Sequence, residues 1–289
     1  MPRIRVMTDS ASDLPVPLTD SLGIDVVSLT IRFGHEEFVD RIELAPAEFW
    51  RRCHEAAVLP ETAAPAPGAF SAAYERAAAA GYDGVIVATL SAALSATYQS
   101  AVVAAEAVAG RIDVRVVDTR AVTMAEGLVV MELAEIAQAG EMTLDEMEAH
   151  ARALVPRAGI CGTLATLEHL VKGGRVGGAR ALLGQMLAIK PLLELRDGVV
   201  AERGRQRTRA RALAAVANEV RRHVPLDRLA IVHGMAPDAP DLEALLAGTE
   251  LQHPLVVADI GPVVGTHSGP GILGACWLER ARDAATFVP

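Results

Sequence analysis

Aromatic side chains are scarce in this chain, 3% of 289 residues, against an apolar share of 51%. An interior of Ala, Val and Leu offers few platforms for stacking nucleobases. Basic residues are also in short supply: 27 Lys and Arg face 36 Asp and Glu, for a net charge of -9. That balance repels a phosphate backbone and excludes general nucleic-acid binding. Cys53, Cys161 and Cys276 stand far apart with no C-x-x-C pair, so neither a disulfide framework nor a zinc site follows, and a reducing cytoplasm fits. Apolar runs are cut by charge, Gly or Pro well before the about 20 residues of a membrane span. The N-terminal MPRIRVMTDS enters an alternating strand pattern directly, without the apolar core of a secretory signal. A soluble, cytoplasmic protein with a small-molecule or protein partner is expected.

Catalytic signatures are equally thin. There is no G-x-S-x-G elbow and no H-E-x-x-H helix, and the eight histidines have no ligand spacing. GPGILG (Gly269 to Gly274) matches G-x-G-x-x-G formally, but about fifteen residues follow it, too few for the βαβ unit and acidic ribose ligand of a dinucleotide site. KGGRVGG (Lys172 to Gly178) lacks the terminal Lys-Ser/Thr of a P-loop; it is either a mobile turn presenting Lys172 and Arg175 or a plain connector. No cofactor or metal is expected.

What is present is a repeated alternation of strand and helix. RIRVMT, DGVIVATL and IDVRVVDT read as strands, each followed by a helical stretch, with Gly23 and Gly140 as stops. Such alternation implies a parallel sheet with covered faces. VVSLTIRFGHEEFVDRI reads as an antiparallel excursion turning at Gly34, and LPETAAPAPGAF, with three prolines, as a loop. Beyond Pro156, AIKPLLELRDGVVAER reads as a hairpin at Asp197-Gly198, and LAIVHG and PLVVADIG add strands around the helical DAPDLEALLAG. The expected fold is α/β in two domains: an N-terminal parallel-sheet, Rossmann-like domain (1–156) and a C-terminal mixed α+β domain with hairpins (157–289).

In an open parallel sheet, ligands bind beyond the carboxyl ends of the strands. Asp9, Ser12, Ser91 and Asp118 sit there but read first as helix caps. Ser95 and Thr97, in LSATYQSA, lie past the cap position, where a helix N-terminus with hydroxyls suits an anionic group. GPVVGTHSGPGILGACW reads as an apolar strand interrupted by His267, among five glycines between Gly261 and Gly274. Locally His267 is either a turn residue satisfied by a carbonyl or a group facing a ligand. RGRQRTRARAL carries five arginines at alternate positions, a solvated helix entry or a patch for an acidic partner.

Together these segments resemble the DegV family of bacterial fatty-acid-binding proteins over nearly the whole chain. TDSASDLP, TAAPAPGAF, LSATYQSA, VVDTRAVTMAEG, LEHLVKGGRVGGARALLG and GPVVGTHSGPG occur in the family's order. The resemblance implies a two-domain protein holding one long-chain fatty acid, its site between the domains and its carboxylate at the polar end. Members of the fatty-acid-kinase type present that carboxylate to a separate kinase subunit, which makes an acyl phosphate from ATP. The chain itself would then be no enzyme, with transient contact at a membrane surface for lipid exchange. By position, the carboxylate contacts would be Thr62, Ser95 and His267, with Arg175 and Arg207 in the surrounding polar network. The family's Thr-Ser-Gln-Pro-Ser is here Thr62-Ala63-Ala64-Pro65-Ala66, Ala96 stands for a usual glycine, and Asp118-Thr119 replaces Asp-Ser. Two other readings remain: a carrier of a different amphipathic ligand, and a hydrolase using Ser95 and His267.

Overall fold

The first strand, β1 (Ile4–Asp9), is buried at every position but Arg5, as a strand covered on both faces should be. In the computed structural model, which describes residues 2–56, 58–182 and 189–281, β1 lies between β2 (Asp25–Val27) and β6 (Gly84–Thr89). β7 (Asp113–Asp118) completes a four-stranded, fully parallel sheet in the order β2-β1-β6-β7. Helices Pro67–Ala79 and Thr97–Ala107 cover one face through Phe70, Tyr74 and Ala101. Beside it, β3 (Thr30–Phe33), β4 (Glu36–Val39) and β5 (Glu61–Ala63) form a small antiparallel sheet in the order β4-β3-β5.

The later strands build a mixed sheet of six, in the order β10-β9-β8-β13-β11-β12: β8 (Ala158–Thr163), β9 (Lys190–Arg196), β10 (Val199–Gln206), β11 (Leu226–His233), β12 (Val256–Asp259) and β13 (Leu273–Glu279). Only β11 and β12 run parallel. The β9–β10 hairpin turns at Asp197 and Gly198, both at positive φ, the conformation that favours Asp-Gly there. Helices Arg209–Arg221 and Ala239–Leu246 pack on the outer face.

Helix Met124–Ala139 joins the two layers. It is buried continuously from Met124 to Met131, because it packs on β1 and β6 on one side and on β8, β11 and β13 on the other. A helix covered on both sides is apolar on most of its surface, and the buried Glu126 of this one accepts from the Thr8 hydroxyl at 2.8 Å. One apolar cluster therefore runs from Ile4 and Val6 through Leu128 to Ala230 and Cys276. The parallel-sheet and mixed-sheet units share a core.

Two local expectations change. GPVVGTHSG is not a strand: Pro262–Ser268 is a helix with proline in its first turn and Gly269 ending it at positive φ, an arrangement proline's fixed φ favours. LPETAAPAPGAF is not all loop either, because β5 pairs with β3 and Pro67 opens the next helix. Among the described residues no helix is long and apolar enough to cross a membrane.

Candidate functional site

The carboxyl ends of β6 and β7 point toward the inner face of the mixed sheet, and a cavity lies there. It has about 950 Å³ of empty space, its mouth included. Leu90, Val122 and Thr123, which follow those strands, form one wall; Ile160, Leu193 and Val232 of the mixed sheet form another. Aliphatic side chains dominate, and among the described residues no Phe, Tyr or Trp lines it.

Four of the five residues singled out in the sequence meet at this cavity: Thr62, Ser95, Arg175 and His267. Thr62 stands on β5, and its Oγ1 lies 2.9 Å from His267 Nε2. Pairing of β5 with β3 sets the position of Thr62, and helix Pro262–Ser268 sets that of His267. His169 braces this helix from below, its Nδ1 3.1 Å from the carbonyl of Thr266. Burial pushes the His267 pKa down to about 4, and Arg175 and His169 add to the effect. The imidazole is therefore neutral at pH 7, and its Nδ1 is buried without a hydrogen-bond partner.

Arg175 reaches the same end from the KGGR turn. Its Nη1 donates to Gly173 O at 2.6 Å and its Nε to Leu94 O at 3.1 Å. The bond to Leu94 O ties the guanidinium to the loop that carries Ser95. The Ser95 hydroxyl lies 2.9 Å from Thr97 Oγ1 and accepts from the Thr97 amide, so it also tethers the entry of helix Thr97–Ala107. The fifth residue, Arg207, is exposed in the turn after β10 and does not line the cavity. Of its neighbours, Arg203 pairs with Glu219 and Arg209 with Asp238. Lys172 is also exposed and pairs with Glu168.

The cap-like residues serve the backbone. Asp9 accepts from Ala11 N and Leu90 N, and Asp118 from Ala92 N and Arg120 N. Ser91 donates to Gly198 O at 2.8 Å, fastening the β9–β10 hairpin to the loop after β6. Three residues at the site escaped sequence reasoning. Ser268 lines the cavity with a buried hydroxyl lacking a partner, and Thr123 with a buried hydroxyl beside the Asp13 carboxyl; Thr123 read as an ordinary residue before a long helix. Gly173 lies against the His267 ring: a Cβ there would sit 2.2 Å from Nδ1.

A neutral imidazole, two hydroxyls and a guanidinium at one end of an aliphatic cavity suit an acid with a long apolar tail. The arrangement does not suit a Ser-His nucleophile, which needs the base within hydrogen-bond reach of the serine. Here His267 Nε2 is bonded to Thr62, and Ser95 to Thr97. Among the described residues no cluster of His, Cys, Asp and Glu could hold a metal ion.

Residues 3–280 match the model of the DegV family, described as a family of uncharacterised proteins. The chain belongs to the DegV family. A DegV domain-containing protein of Deinococcus radiodurans is 36% identical over 276 residues, covering 94% of this chain and 96% of the relative. One from Listeria monocytogenes is 33% identical over 281 residues, covering 95% and 98%. Among solved DegV structures, a fatty-acid-binding protein of Thermus thermophilus superposes with a TM-score of 0.88 at 32% identity, covering 96% of this chain and 100% of that one. DegV of Bacillus subtilis, a fatty acid binding protein, gives 0.86 at 28% identity, covering 97% and 100%.

Proposed function

We propose that this DegV protein binds one long-chain fatty acid in the cavity and presents its carboxylate to a separate fatty acid kinase for acyl phosphate formation. One observation carries the binding: Thr62, Ser95, Arg175 and His267 gather at one end of a cavity whose walls are otherwise largely aliphatic. The fatty-acid-binding relatives in Thermus and Bacillus support the same ligand class. Each methylene moved from water into such a wall contributes about 0.8 kcal/mol, so a chain of roughly fifteen gains on the order of 12 kcal/mol against the cost of association. The tail therefore sets affinity. A carboxylate taken out of water costs several kcal/mol unless hydrogen-bonded; the hydroxyls of Thr62 and Ser95, the imidazole and the guanidinium offset that cost and fix which end faces the opening. The protein performs no chemistry in this reading, and it exchanges its ligand at a membrane surface.

Mass spectrometry of the purified protein under denaturing conditions tests the binding. Release of stoichiometric fatty acid is the expected result; none released, with no saturable uptake of added acid, sinks the proposal. Acyl phosphate appearing only when a fatty acid kinase and ATP are added tests the second half.

A further inference from the structure

Gly162 and Gly274 stand directly opposite each other in the ladder between β8 and β13, and both line the cavity. The row continues on either side: Gly162 pairs with Leu193 of β9, and Gly274 with Val232 of β11. Those two residues line the cavity as well. Side chains of directly opposed residues share one face of a sheet. The row Leu193, Gly162, Gly274, Val232 is thus a trough, with an aliphatic shoulder at each end and no side chain at its two central positions.

Glycine weakens a strand interior and marks a bulge, a bend or the close approach of another group. Neither of these glycines has a positive φ. Gly274 has a local explanation, because a Cβ there would lie 2.7 Å from Cys161 O and 2.8 Å from Gly162 Cα. Gly162 has none of comparable force: the atoms nearest to a Cβ are opposing backbone at 3.3 Å, and no side chain is among the nearest three. Gly159 of the same strand shows the contrast, since the Trp277 indole would lie 2.4 Å from its Cβ. The space at Gly159 is filled by the protein, and the space at Gly162 opens on the cavity. The buried hydroxyl of Ser268, which also lines the cavity and has no partner, points independently to a ligand.

We propose that the acyl chain crosses the mixed sheet over Gly162, which makes this residue a determinant of ligand shape. The inference rests on the fatty-acid reading above and sharpens it: the positions without side chains leave the room that the passing chain occupies, so a side chain at Gly162 limits the length of acid that the cavity takes.

The test is a titration of wild type, Gly162→Ala and Gly162→Val with saturated acids of increasing length. Gly162→Val is expected to lose about tenfold or more in affinity for chains long enough to reach the row, by overpacking, and nothing for shorter ones. Gly162→Ala should show the same length threshold with a smaller loss. Gly162→Ala keeps the test decisive if Gly162→Val does not fold. Losses independent of length, or no loss at any length, with wild-type binding intact, would overturn the crossing and leave the fatty-acid reading standing. A wild type that binds none of the acids would overturn both.

Discussion

The backbone at Gly173 and the ring of His267 occupy adjoining space: a Cβ on Gly173 would lie 2.2 Å from Nδ1 and 2.9 Å from Cε1. Contacts this short do not occur between real atoms, so any side chain at 173 must displace the ring or the KGGR turn. Gly173→Ala should therefore weaken fatty-acid binding as much as His267→Ala does, with the fold retained in both. Calorimetric titration of the two variants, beside circular dichroism, checks this. Wild-type affinity in Gly173→Ala would mean that the ring moves without consequence.

His267 also predicts a pH dependence. Its folded pKa of about 4 lies below the ordinary 6.5 because burial disfavours the charged ring. A depressed folded pKa contributes stability that is present above the unfolded value and is lost as pH falls toward the folded one. Ligand-free protein should thus lose stability between about pH 6.5 and 4, and His267→Gln should flatten that slope. A bound carboxylate would favour the imidazolium and raise the pKa. Following the His267 ring by NMR with and without ligand should show titration moving upward on binding; no movement would place the carboxylate elsewhere.

Much of the fold was legible because its strands are short apolar runs bounded by Gly, Asp and Ser, and helices end at glycines such as Gly23 and Gly140, both left-handed. The stretch around His267 was not. Its glycines and alternating valines imitate a strand, and Pro262, the signal for a helix start, was outweighed. Proline misled again at Pro67, where it opens a helix. The site was legible only through resemblance, since Thr62 and His267 are 205 positions apart and no local pattern joins them. Arg207 illustrates the reverse: five alternating arginines read as a solvated helix entry or as one patch, whereas the fold places Arg203 on β10 and Arg209 on a helix, each with its own acidic partner.

Gly127 separates helix propensity from packing. It lies inside helix Met124–Ala139, where alanine is ordinarily favoured over glycine by about 1 kcal/mol. A Cβ there, however, would sit 2.9 Å from Ser12 O and 3.2 Å from the Leu14 side chain. Overpacking costs about 1–3 kcal/mol, and backbone yields less readily than a side-chain tip. Gly127→Ala is expected to destabilise the protein by about 1 kcal/mol in urea denaturation. Stabilisation would show that the turn after β1 moves aside freely.

Asp40 is a buried carboxyl whose pKa is pushed up to about 7 by burial, against the pull of the Ser10 hydroxyl and of Arg41. Here the folded value exceeds the unfolded one, 3.8. The folded state then holds a proton that the unfolded chain has already released, so the stability present below the unfolded pKa is lost as pH rises toward 7. Each tenfold difference in proton affinity between the two states is worth about 1.4 kcal/mol, so the loss amounts to a few kcal/mol. Asp40→Asn keeps the shape and removes the titration, so the variant should gain stability over wild type progressively from about pH 4 to 7 and hold a constant margin above that. Urea midpoints across that range measure it directly. A margin that does not grow with pH would mean that Asp40 is ionised throughout, with Arg41 outweighing the burial.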